Sequence, residues 1–561
     1  MNFKDTNLER KKRAMSDISR HELNIIKQCI KKTAKGHEVV ATCIYGSRIA
    51  GYNRADSDID LLIVLQGYPY LLKYVYFNQS GTKVSALAVD REALFRDANS
   101  AFLGEFAVGR LLHIYKPIIN AEFLATIERI YKRRVILEEI NNVIESTGIL
   151  GTEIIFPLEF VVYSKIKHRM AIHPSAAYSY CKTYTTSRHN IDFALDGYRK
   201  ALGDIISDYK GLLAIMQDDL LQISDKHTSV EKRMIRLKLG RRLKDFRSYF
   251  VHTYAGRTIM HLAANEAESK IRRHISETVR APDFISHPRR AYWRLPEGRL
   301  VVDGTNWLDS LAEPLDNYSV YKKRQLGDVT SRTTLYVIKH SSGEYKIAVK
   351  ELAKSKALKW AMLSLWTAPV KRFKMDPLFR LGSEYKAIRY IRRLGLNSPI
   401  IEAVVLDKKL LVTKFVEGMT LAEVIRDYIE RKQEEPVLIS EAGADIAKIH
   451  RSGASFGNIK PKNIIVSGKG LYYTDTEQFI FQAGDQAWDI VQFISWSLKR
   501  TRNSTMAATI TKEFLKGYMS VGEPNNIIRI AKSNRYIESF YPILVPSIAR
   551  TIKKEIKAIA K

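Results

Sequence analysis

The chain has 561 residues, enough for roughly three or four domains at about 150 residues each, with 45% hydrophobic and 27% charged residues. No run approaches the ~18 apolar residues of a membrane span, the N-terminus has no secretory apolar region, and Cys29, Cys43 and Cys181 are too few and too scattered for a disulfide framework or zinc cluster. These features point to a cytoplasmic protein, and ninety Lys and Arg against sixty Asp and Glu, a formal charge of +30, favour a polyanionic partner, with nucleic acid the first candidate.

In chain order, residues 8–35 read as a charged amphipathic helix, and HEVVATCIYGSR, DIDLLIVL and KVSALAVD as three β-branched strands. Beyond residue 92 the pattern turns helical, with a helix expected over 121–145 and helical periodicity through 192–280. Pro, Gly, Arg and Trp concentrate in 286–307, which reads as a domain boundary. Strands return in TTLYVIKH and KIAVKEL, and helices follow to the end.

The stretch IYGSRIAGYNRADSDIDLLIVL has a chemical logic. A strand ends at Tyr45, and Gly46 and Ser47 let backbone and a small hydroxyl approach a triphosphate. Asp58 and Asp60, two apart on the next strand, project from one face and suit a divalent metal. This pattern resembles the minimal nucleotidyltransferases of the polymerase-β superfamily. The resemblance implies an α/β fold, Gly46, Ser47 and Arg48 on the triphosphate, and Asp58 and Asp60 as catalytic ligands of Mg²⁺ or Mn²⁺. It also implies a third carboxylate on a later strand, where this chain has Ser85, with Asp90 at the strand's exit.

A second constellation begins near residue 325. Lys350 ends the strand IAVKEL, and Glu384 lies on a helix closed by Gly395 and Pro399. LLVTKFVEGMTL, GNIKPKNIIV and YYTDTEQF follow. In this order the motifs resemble the small atypical kinases, namely RIO kinases, the kinase of the archaeal KEOPS complex and lipopolysaccharide kinases. The resemblance implies a bilobal protein-kinase-like fold in which Lys350, Glu384, Lys460, Asn463 and Asp475 bind ATP or another NTP. Asn463 and Asp475 would hold the metal, and Asp489 would be a structural aspartate. Asn458 occupies the place of the catalytic aspartate, and Gly327 is the sole glycine of the phosphate-covering stretch GDVTSRTTLYVIK. An amide takes no proton from a hydroxyl, so a pseudokinase is expected.

Between these sites, 232–247 holds eight Lys or Arg against one Asp, and 163–184 interleaves cations with Tyr163, Tyr178, Tyr180 and Tyr184. Both read either as RNA contacts or as solvated basic faces beside core tyrosines. The expectation is thus a multidomain α/β and α+β chain of archaeal style. A nucleotidyltransferase spans 1–125, a helical basic middle 126–315 and a kinase-like domain 316–561. It would transfer a nucleoside monophosphate from an NTP to an RNA (tRNA-like) or protein acceptor. The alternatives are an atypical kinase or ATPase with an accessory N-terminal domain, and a non-catalytic nucleotide-binding regulator.

Overall fold

The computed structural model describes residues 18–216, 219–224, 281–304, 307–312, 319–326, 333–341, 343–352, 373–431, 436–482 and 484–560. The basic segment 232–247 and Gly327 lie outside them. The chain divides into two compact units, one of Met1–Asn142 with Phe156–Trp293 and one of Val143–Ile155 with Arg294–Lys561. Of the region 126–315, the described residues 126–142 and 156–216 fall within the first unit, and 143–155 and 294–304 within the second.

In the first unit, helix α1 (Arg20–Ala34) starts at a capping box in which Ser19 and Glu22 satisfy each other's backbone N–H. Strands β1 (Val39–Tyr45), β2 (Ile59–Leu65), β3 (Leu72–Gln79), β4 (Thr82–Asp90) and β5 (Lys116–Ile119) form one sheet in the order β3-β4-β2-β1-β5. β3 and β5 were not foreseen, and β3 is an edge strand. Period-two alternation sends Ile59, Leu61, Ile63, Val84, Ala86 and Ala88 to the face that packs with α1. The opposite face therefore carries Asp60 and Ser85. Helix α2 (Arg91–Ser100) follows β4, and α3 (Ala121–Thr147) matches the helix expected there. Helices α4 (Leu158–Ile172), α5 (Ala177–Thr186) and α6 (Arg188–Asp208) also belong to this unit.

The second unit holds a six-stranded sheet of β6 (Arg299–Val301), β7 (Ser319–Leu326), β8 (Thr333–His340), β9 (Gly343–Glu351), β10 (Ile401–Val405) and β11 (Leu410–Lys414). Its order is β7-β8-β9-β11-β10-β6, with only the β10–β6 pair parallel. Helix α7 (Pro377–Arg393) starts on an Asp376 cap with Pro at its first turn. A larger helical lobe follows, built on α8 (Val437–Arg451), the hairpin β12 (Ile464–Ser467) and β13 (Gly470–Tyr473), α9 (Gln486–Leu498) and α10 (Ser504–Val521). Its core is continuous from Ile446 through Phe456, Trp488 and Phe493 to Phe514. Among the described residues, no helix is long and apolar enough to cross a membrane.

Candidate functional site

In the first unit the strand register assembles the site. Tyr45 pairs with Asp60, Asp60 with Ser85, and Ser85 with Tyr76, so four strands present one row of side chains. Gly46 follows at φ +84°, and a Cβ there would lie 2.2 Å from Asp60 Oδ2. Only glycine admits the carboxylate against the turn. Ser47 opens the one-turn helix Ser47–Ala50, and Asp58 precedes β2 directly. Helix α6 braces the turn through Asn190 Nδ2 donating to the Ala50 carbonyl at 2.9 Å, and Tyr52 donates to the Ser179 carbonyl at 3.3 Å.

Arg48 was expected on the triphosphate. Its guanidinium instead donates to Glu22 at 2.6 Å and to the Ser57 carbonyl at 3.2 Å, tying the loop before Asp58 to α1. Burial works against the charge on Glu22, but Ser19 and Arg48 outweigh it and hold its carboxyl below the usual range. Ser85 is buried and stands beside Asp60, so the place of the third acid holds a hydroxyl. Asp90 does not replace it: its carboxylate caps α2 through the Glu92 and Ala93 amides and accepts from Tyr68 N–H. Two carboxylates fit Mg²⁺, which typically takes one or two protein oxygens and completes its shell with phosphates and water.

Two residues of this site carry no sequence motif. Arg110 donates to the Tyr74 hydroxyl at 2.8 Å and lies 5.7 Å from the ring centroid of Tyr45, the neighbour of Asp60. Tyr76, at the edge of the row, is 51% exposed. The tyrosines at 163, 180 and 184 are a correction to the RNA-stacking reading, because all three are buried. Tyr163 stacks on Tyr292, and Arg169 donates to the Tyr180 hydroxyl while pairing with Glu105. Lys165 also pairs with Glu105, at 2.8 Å, so these cations serve a buried network.

In the second unit Lys350 is buried on β9 among three carboxylates. Its ammonium pairs with Glu384 of α7 at 2.7 Å, with Asp475, and with Glu477 at 3.8 Å. Burial alone would lower the Lys350 pKa, but Asp475, Glu384 and Glu477 raise it well above the ordinary lysine value. Burial pushes Glu384 up to about 7, with Asp475 and Glu477 adding to the rise and Lys350 opposing it. Glu477 was not foreseen. Arg380 of α7 donates to it at 3.1 Å, locking the segment after Asp475 onto the helix.

Asn463 donates to Asp475 Oδ2 at 3.1 Å, and Asp475 takes a left-handed backbone at φ +55°. Asn463 and Asp475 are thus brought together, with Lys350 against the other carboxylate oxygen. Asp489 accepts from the Phe456 and Gly457 amides at 2.6 and 2.8 Å and meets His450, which fixes the loop bearing Asn458. Asn458 is buried, and its Oδ1 accepts from Gln492 Nε2 at 3.2 Å. The Lys460 ammonium lies 4.3 Å from the ring centroid of Trp496.

The recruited segment 148–153 holds α7. A Cβ on Gly382 would come within 2.4 Å of the Leu150 amide nitrogen and of Ile149 Cγ2. Lys386 donates to Thr152 Oγ1 at 3.1 Å, and Arg389 pairs with Glu153. Glu297 binds Arg392 and caps the Ile401 amide, while its own backbone exchanges hydrogen bonds with the Tyr385 hydroxyl.

Comparison with known proteins agrees with both sets of motifs. Residues 27–106 match the family model described as "Polymerase beta, Nucleotidyltransferase", so the chain carries a nucleotidyltransferase domain of that family. It also has relatives among the small kinases. Over 166 residues it is 27% identical to a probable serine/threonine-protein kinase BUD32 homolog of Archaeoglobus fulgidus, covering 29% of this chain and 78% of that one. Over 158 residues it is 25% identical to the KEOPS complex subunit Bud32 of Pyrococcus abyssi, covering 28% and 70%. A solved structure of WaaP in complex with acyl carrier protein aligns with 43% of this chain and 94% of that chain, at 14% identity and a TM-score of 0.27, too low to carry an argument.

Proposed function

We propose that the first unit transfers a nucleoside monophosphate from an NTP to a hydroxyl of an RNA or protein acceptor. The observation that carries this reading is Asp60 lying against the Gly46 turn, with Asp58 beside it at the start of β2. Gly46 and Ser47 bind the triphosphate, and Asp58 and Asp60 hold Mg²⁺ or Mn²⁺. When bound, the metal neutralises phosphate charge and polarises the phosphoryl oxygens. Arg48 positions the loop rather than the substrate. The acceptor oxygen bonds to the α-phosphorus, the bond to the bridging oxygen breaks, and pyrophosphate leaves. The acceptor proton passes to water, since Ser85 supplies no carboxylate. Three buried thiols fit a reducing cytoplasm.

The second unit, in this reading, binds ATP without efficient phosphoryl transfer. Lys350, held by Glu384, faces the phosphates, Lys460 adds a second cation, and Asn463 and Asp475 hold the metal. Asn458 offers only an amide, already engaged by Gln492. Ser85 and Asn458 together favour a second reading, a nucleotide-binding regulator with neither site catalytic. The test is label transfer from α-labelled NTP to total RNA or protein. The Asp58→Ala, Asp60→Ala double variant should abolish it while folding normally, and wild-type rates in that variant would rule out this site.

A further inference from the structure

The row Tyr45–Asp60–Ser85–Tyr76 extends the site beyond the carboxylates. Residues paired directly across a sheet point to the same side, so Tyr76 shares the face of Asp60, two strands away. At ~4.8 Å per strand its Cα lies about 10 Å from that of Asp60, about the reach of one nucleotide unit. Val75 and Phe77, on alternate positions of β3, pack with the α1 face of the sheet. Tyr76 and Tyr74 stand on the other face, their rings 6.2 Å apart and within 14° of parallel. One residue before the Ile59–Val84 pair come Asp58 and Lys83, and Lys83 pairs in turn with Asn78. Lys83 and Asn78 are both exposed. The acidic centre is thus flanked, on its edge-strand side, by an exposed ring, a cation and an amide.

We propose that Tyr76 is a stacking platform for a nucleobase of the acceptor, with Lys83 neutralising an acceptor phosphate, so that the acceptor is a single-stranded nucleic acid rather than a protein. This rests on the nucleotidyl-transfer reading and narrows its acceptor. Every base presents a π-face, so the platform tolerates sequence, while the carboxylates beside it select the terminal hydroxyl. Tyr74 is fixed by the hydrogen bond from Arg110, which keeps the neighbouring ring in place.

The experiment is equilibrium binding of a single-stranded RNA hexamer carrying 2-aminopurine to the full chain at low salt, without NTP. Tyr76→Ala should weaken binding by roughly 5- to 150-fold, the range of one base–aromatic stack. Tyr76→Phe, which keeps the ring, should bind like wild type. Unchanged melting temperatures would show that both variants fold. Undiminished binding by Tyr76→Ala overturns the proposal, and so does an equal loss in Tyr76→Phe, because the hydroxyl would then be the contact. A separate arm supplies α-labelled NTP with RNA and protein together. Label on ribonuclease-sensitive material supports the proposal, and label on protein alone overturns it. No label at all would sink the transfer reading, while the Tyr76 dependence of binding would still decide the platform.

Discussion

Gly382→Ala tests whether the segment 148–153 sets the position of the helix that carries Glu384. The added Cβ would meet the Leu150 nitrogen and Ile149 Cγ2 at 2.4 Å and the Ile149 carbonyl carbon at 3.0 Å. Two of these atoms are backbone and cannot rotate away. Restoring an ordinary contact near 3.4 Å moves α7 outward by about 1 Å, and overpacking of this kind costs typically about 1–3 kcal/mol. Alanine's better helix propensity returns at most about 1 kcal/mol. At about 2–4 °C per kcal/mol for a unit this large, the unfolding transition should fall by several degrees. The same shift loosens the 2.7 Å Lys350–Glu384 pair, so ATP affinity should fall as well. Differential scanning calorimetry and ATP titration of the full chain measure both. A variant that melts and binds ATP like wild type would refute the role given to this contact.

Ser85→Asp places a third carboxylate beside Asp60 and should raise metal-dependent α-phosphate transfer by up to the ~10²–10⁴-fold of a positioned base; an unchanged rate would show that the missing acid is not what limits the site. Asn458→Asp should leave ATP affinity nearly unchanged and raise any autophosphorylation or ATPase rate, again within ~10²–10⁴-fold, measured with γ-labelled ATP. Wild-type phosphorylation already near the ~1 s⁻¹ of ordinary kinases would contradict the impairment assigned to Asn458. Burial raises the Glu384 pKa to about 7 against the opposing pull of Lys350. The stability this adds is full below the unfolded pKa and is lost as pH rises toward and through 7. Glu384→Gln should therefore flatten the fall of melting temperature between pH 5 and 8, and an identical slope in both proteins would remove Glu384 as its source.

What was legible in the sequence was local chemistry. Gly46 and Asp60 stand at the ends of adjoining strands in the motif, and the structure sets the Asp60 carboxylate against the Gly46 turn. Lys350, Glu384, Asn463 and Asp475 were placed by motif order, and they meet as that order implies. Tyr76 escaped notice because its place beside Ser85 depends on strand order and register, which no spacing encodes. Glu477 lies two residues past Asp475, and nothing in TDTEQF says that its side chain folds back to Arg380. The recruitment of 148–153 by Gly382, more than 200 residues away, is a packing fact without a sequence pattern. Tyr163, Tyr180 and Tyr184 alternate with cations as a stacking surface would, yet all three are buried, Tyr163 stacks on Tyr292, and Glu105 pairs with the cations Lys165 and Arg169.

If the first unit transfers nucleotides, chemistry occurs at the α-phosphate of the NTP. The direct measurement incubates the full chain with Mg²⁺ and single-stranded RNA, in parallel with α-labelled and γ-labelled NTP. RNA should be labelled from the α position, with pyrophosphate released in equal amount and no RNA label from the γ position. RNA or protein labelled only from γ would contradict transfer by the first unit and make the second unit the active one.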